Sequence, residues 1–98
     1  MTSGTDEANY VIVHGGRRYQ YDVEHLPQYV KQDLEKQLEI LKKDPYRGTE
    51  PLRGRYRGFR KKNLVGNYRF VFRVNINSHR IVPVEAKHRG PSYQLSNP

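Results

Sequence analysis

Toward its C-terminal end the chain gathers Arg69, Arg73, Lys87, His88, Arg89 and Tyr93, a set of cations with one imidazole and one phenol. No cysteine is present, which removes both a thiolate nucleophile and a thiolate zinc site. His14, His25, His79 and His88 have no spacing that places them on one element, so neither a metal site nor a cofactor is expected. There is no glycine-rich phosphate loop of strand–loop–helix type and no ordered Ser/His/Asp set. The chemistry open to such residues is phosphodiester cleavage in RNA. There the substrate's own 2′-OH is the nucleophile, and the protein supplies a base, an acid and cations for the developing phosphorane charge. DNA lacks that hydroxyl, so the reaction would be specific to RNA.

Each residue also has a structural alternative. Arg69 is a phosphate contact or catalytic cation, or else a solvated strand charge. His88 is a proton donor or a strand-end residue, and Tyr93 stacks on a base or caps the sheet. Glu85 reads as an ion-pair partner rather than a general base. The run Arg60-Lys61-Lys62 is ordinarily a charged strand, but here it adds to a wider basic field.

That field is directional. Residues 1–45 carry six Lys/Arg against eight Asp/Glu, whereas residues 46–98 carry twelve against two. A near-neutral half joined to a strongly basic half attracts polyanions through counterion release, and nucleic acid is the leading partner class. An acidic protein is the second. At 98 residues the chain suits a single domain, and no apolar run approaches the length of a membrane helix. The N-terminus has no signal-peptide hydrophobic stretch, so a soluble cytoplasmic protein is expected.

The elements that must position these residues are legible in outline. Residues 1–8 read as a polar tail, 9–93 as the domain and 94–98 as a second tail. Tyr10–His14 and Arg17–Val23, separated by Gly15-Gly16, read as a β-hairpin. Pro27 suits a helix start, and Val30, Leu34, Leu38 and Leu41 form an apolar stripe over about 17 residues ending at Asp44-Pro45. The pairs Lys31–Glu35 and Glu39–Lys43 are expected on its wet side. Residues 46–58, with three Gly, one Pro and four Arg, read as a loop.

Three strands are expected after it, at Phe59–Val65, Tyr68–Asn75 and Arg80–Lys87. Gly66-Asn67 and residues 75–79 supply the turns. Tyr68, Phe70, Phe72 and Val74 share one face of the middle strand, and Arg69, Val71 and Arg73 the other. Alternation in the last strand groups Val82, Val84 and Ala86 against Ile81, Glu85, Lys87 and Arg89. Pro83 belongs at an edge or a local break. The expected architecture is α+β: a small antiparallel sheet with one helix, or two short ones, on one face and a basic, open opposite face.

In combination, several of these segments resemble the RelE/ParE family of toxins from type II toxin–antitoxin systems. They are Leu41-Lys42-Lys43-Asp44-Pro45, Leu52-Arg53-Gly54, the run from Val65 to Val74, and Ala86-Lys87-His88-Arg89-Gly90-Pro91-Ser92-Tyr93. The similarity covers roughly residues 19–93. It implies a small basic toxin neutralised by a cognate antitoxin. In the RelE branch such a toxin enters the ribosomal A site and cuts mRNA without a metal. The matching positions would be Arg69 for transition-state charge, Arg89 for phosphate binding, Tyr93 for stacking or orienting the base, and His88 for proton transfer. Lys61 and Lys62 match the family's basic strand residues, and Arg53, Arg60, Arg73 and Lys87 complete the expected RNA-binding set. The alternatives are a ParE-like protein that poisons DNA gyrase by binding alone, and a non-toxic nucleic-acid-binding relative. The sequence departs from the family at Leu64, often Arg, in an added strand at Tyr10–His14, and in its short helical region, where one of two family helices is expected to be shortened or absent.

Overall fold

The computed structural model describes residues 9–89. The expected tails at 1–8 and 94–98, and Tyr93, lie outside them. Along the chain come β1 (Val11–Ile12), α1 (Arg17–Glu24), α2 (Gln28–Lys43), β2 (Glu50–Pro51), β3 (Arg60–Leu64), β4 (Tyr68–Asn75) and β5 (Arg80–His88). They form a sheet of order β1-β5-β4-β3-β2 with both helices packed on one face. The most apolar strand, β4, is central, as its composition requires. Among the described residues no helix is long and apolar enough to cross a membrane.

The sheet is mixed rather than antiparallel. β1 runs parallel to β5, with Val11 beside Arg80 and Ile12 beside Ile81, and the other pairs are antiparallel. Parallel pairing follows from the intervening chain, because α1 and α2 carry it over the sheet before β5 returns beside β1.

The predicted hairpin is absent, and its second half is α1. The alternation of Tyr19, Tyr21 and Val23 suggested a strand, but helical spacing puts Tyr19 and Asp22 on the buried side and leaves Tyr21 exposed. Tertiary contacts decide the matter: Tyr19 tilts against Phe70, and the Asp22 carboxylate accepts the Ala86 N–H at 3.1 Å. Gly15-Gly16 is therefore a helix entry, not a turn. Gly16 is the extended residue before the helix, and a Cβ on Gly15 would come within 2.5 Å of the Tyr19 ring. The helical region consequently holds two helices, the first of only eight residues, so one of the pair is short rather than absent.

α2 matches its apolar stripe. Val30, Leu34 and Leu41 are buried, and Leu38 packs against the same core. Its ion pair joins Lys42 to Glu39 at 2.9 Å. The core beneath is built from Leu64, Phe70, Phe72, Ile81 and Ala86, all on the helix-facing side of the sheet.

A β-bulge in β5 corrects the parity expected there. Val71 pairs with Glu85 but Phe72 pairs with Pro83, so Val84 is the extra residue. The slip places Ile81 in the core with Ala86, and Val82 opposite Arg73 on the far face. Pro83, which cannot donate a ladder bond, sits at this break.

Candidate functional site

The face away from the helices is set by register. Asn63 of β3, Arg69 of β4 and Lys87 of β5 stand side by side across three strands, and Lys61, Val71 and Glu85 form the next row. Arg73 and Val82 follow one row further along. This face is not uniformly open, because Val71 at its centre is only 2% exposed.

The turn between β3 and β4 fixes the first row. Gly66 and Asn67 both adopt left-handed backbone there, at φ 69° and 62°. From α2, Asp33 Oδ2 accepts the Val65 N–H at 3.0 Å, and the Tyr29 hydroxyl packs so close to Gly66 that a side chain there would collide with it. Arg89 is tied to the same turn: its N–H donates to the Asn67 carbonyl at 2.6 Å. Its guanidinium Nη1 donates to Asn63 Oδ1 at 3.4 Å. Arg69 and Arg89 are thus brought together at one corner of the sheet.

Their proximity has an electrostatic signature. Burial, and secondly the neighbouring charge of Arg89, push the Arg69 guanidinium below its usual pKa, opposed by Glu85 and the Tyr56 phenol. It stays charged at neutral pH. Glu85, with a side chain 16% exposed, also lies 3.8 Å from the Arg18 guanidinium of α1. A carboxylate held between two arginines is the ion-pair partner that the sequence suggested.

The other predicted site residues are distributed differently. His88 pairs with Tyr68 and meets its ring edge-on at 4.9 Å, so it belongs to the helix-facing side, not to the face of Arg69. Arg60 and Lys62 share that side, opposite Phe72 and Phe70. The Arg60 guanidinium donates to Thr49 Oγ1 at 2.9 Å and lies 4.9 Å from the centre of the Tyr46 ring, so it holds the loop after α2. Lys62 reaches the same loop beside Gly48. Lys61 faces the Arg69 side and pairs with Glu50 at 3.5 Å. Arg53 is exposed just before the short 3-10 turn Gly54–Tyr56, and Arg73 is exposed on the far face. Among the described residues no group of three or more His, Cys, Asp or Glu is placed to hold a metal ion.

Asn63 and Tyr56 were missed from sequence. Asn63 was findable: a turn over 65–67 pairs Leu64 with Tyr68, which sets Asn63 opposite Arg69. Tyr56 lies in an irregular segment that carries no such parity.

No protein-family model and no curated protein matches the chain. Solved structures do. The toxin–antitoxin complex RelBE2 from Mycobacterium tuberculosis is similar at 22% identity and a TM-score of 0.73, over 83% of this chain and 99% of that one. The YoeB/ParE toxin from Agrobacterium tumefaciens gives 20% and 0.71, over 81% and 98%. The intact RelBE toxin–antitoxin complex of E. coli gives 20% and 0.69, over 83% and 98%. With two helices on a sheet whose centre is β4, the chain has the fold of these RelE and YoeB/ParE toxin structures.

Proposed function

We propose that this chain is the toxin of a toxin–antitoxin pair and acts in the cytoplasm as a metal-independent endoribonuclease on ribosome-bound mRNA. The observation that carries this is the convergence of Arg69 and Arg89 at one corner of the sheet, with Lys87 beside Arg69. In the reaction the ribose 2′-oxygen attacks the adjacent phosphorus as its proton passes to a base. The bond from phosphorus to the 5′-oxygen breaks, and that oxygen takes a proton from an acid. Arg69 stabilises the phosphorane charge, Arg89 grips the phosphate, and Tyr93 orients the base. Lys87, Lys61, Arg73 and Arg53 extend the field for the RNA backbone. The fold's occurrence in toxin–antitoxin complexes supports an antitoxin partner, which would cover Arg69 and Arg89 with acidic or C-terminal residues.

One observation favours a second function. His88 sits on the opposite face from Arg69, and a protein that inhibits DNA gyrase by binding alone would need no proton donor there. Inducing the protein in cells separates the two. A stop in translation, with new 5′ ends inside mRNA, supports the ribonuclease. Loss of DNA supercoiling before translation falls supports the gyrase inhibitor.

A further inference from the structure

Asn63 stands directly across from Arg69 and accepts a hydrogen bond from the Arg89 guanidinium. Directly opposed residues on one face of an antiparallel pair have Cβ atoms ~5 Å apart. The Asn63 side chain is therefore a neighbour of both arginines, whose like charges repel each other. A carboxylate at this position would bind one arginine and cancel its charge. An amide oxygen orients a guanidinium and leaves its charge available to an anion. The Asn63 amide also carries two N–H donors, a fit to a phosphate oxygen at the same corner. On the other side of Arg69 the nearby carboxylate, Glu85, is shared with Arg18 of α1 at 3.8 Å.

Resting on the role given above to Arg69 and Arg89, we propose that Asn63 is a positioning residue: its amide oxygen holds the Arg89 guanidinium beside Arg69, so that the two present a preformed site for one RNA phosphate. Without it Arg89 loses the hydrogen bond that holds it near Arg69, and the repulsion between like charges drives it away. The exposed side chain makes no core contact, so the fold does not depend on it.

The test is binding of an unstructured single-stranded RNA oligonucleotide across a salt series, with a melting curve for every variant. Asn63→Ala should weaken binding about three- to tenfold and leave the melting temperature unchanged. In the Arg89→Ala background the same substitution should add nothing, since the two act as a unit. Asn63→Asp keeps the acceptor but neutralises Arg89. It should therefore flatten the dependence of log K on log salt by ~0.7, the loss of one single-strand phosphate contact. A purely structural role would leave that slope unmoved. If Arg89→Ala weakens binding but the Asn63→Ala effect is undiminished in its background, the positioning role is wrong and the phosphate site stands. If Arg89→Ala leaves RNA affinity unchanged, both the positioning role and the assignment of this corner to phosphate fall.

Discussion

Replacing Arg69 by Ala tests the proposed chemistry most directly. The structure gives reason to expect that the fold survives. Burial and the Arg89 charge together disfavour the charged guanidinium more than Glu85 and Tyr56 favour it. Arg69 is only part-buried and lies on the face away from the hydrophobic core, so its truncation to Ala leaves that core intact. Catalysis should change far more. Losing one preorganised donor aimed at transition-state charge costs ~3–4 kcal/mol, or about 10²–10³ in rate. The loss should fall mainly on kcat, because Arg89 and Lys87 still hold the phosphate in the ground state. Arg69→Lys should recover only part of the rate, since an ammonium cannot hold two phosphate oxygens in a planar fork. The assay is cleavage of mRNA bound to purified ribosomes, with a melting curve for each variant. An Arg69→Ala protein that melts normally and cuts at the parental rate would refute the ribonuclease assignment of this face and leave the gyrase-binding function as the better account.

Asp22→Ala removes the buried acceptor of the Ala86 N–H and should cost ~1–3 kcal/mol in chemical denaturation, with Asp22→Asn costing less; no loss in either would mean that the edge of β5 is held by something else. Burial raises the Tyr19 pKa to about 12, whereas the unfolded chain ionises near ~10, so the unfolded state binds fewer protons between those values and stability should fall as pH rises through that window. Tyr19→Phe should flatten that fall in an alkaline melting series, and an unchanged pH dependence would contradict the burial. Binding to single-stranded RNA should weaken with salt at a slope of about −3 to −4, the value for four to six phosphate contacts; a slope near zero would assign the basic half to an acidic protein.

What was legible in the sequence follows from how local each signal is. The stripe of α2 and the alternation of β4 are periodicities that burial on one side enforces, and both elements stand close to their expected limits. α1 was misread because eight residues hold too few turns for helical period to beat an accidental alternation. What makes it a helix is a long-range contact, the Asp22 carboxylate on the Ala86 N–H. The parity of β5 failed for a related reason: one inserted residue at Val84 exchanges the faces of everything before it, and no periodicity announces the insertion. The same bulge decides the site. Counted from Arg80 without it, alternation would put Lys87 on the helix-facing side, yet register places Lys87 beside Arg69, and Arg89 follows onto that face because its N–H is bound to the turn at Asn67. Arg69 was findable by strand parity alone. Its proximity to Arg89 depends on the bulge that brings β5 into step, the turn that anchors Arg89, and the Asn63 oxygen that accepts from the Arg89 guanidinium. A basic composition points to a polyanion, but those local devices are what bring Arg69 and Arg89 to one corner, where the proposed phosphate site would stand.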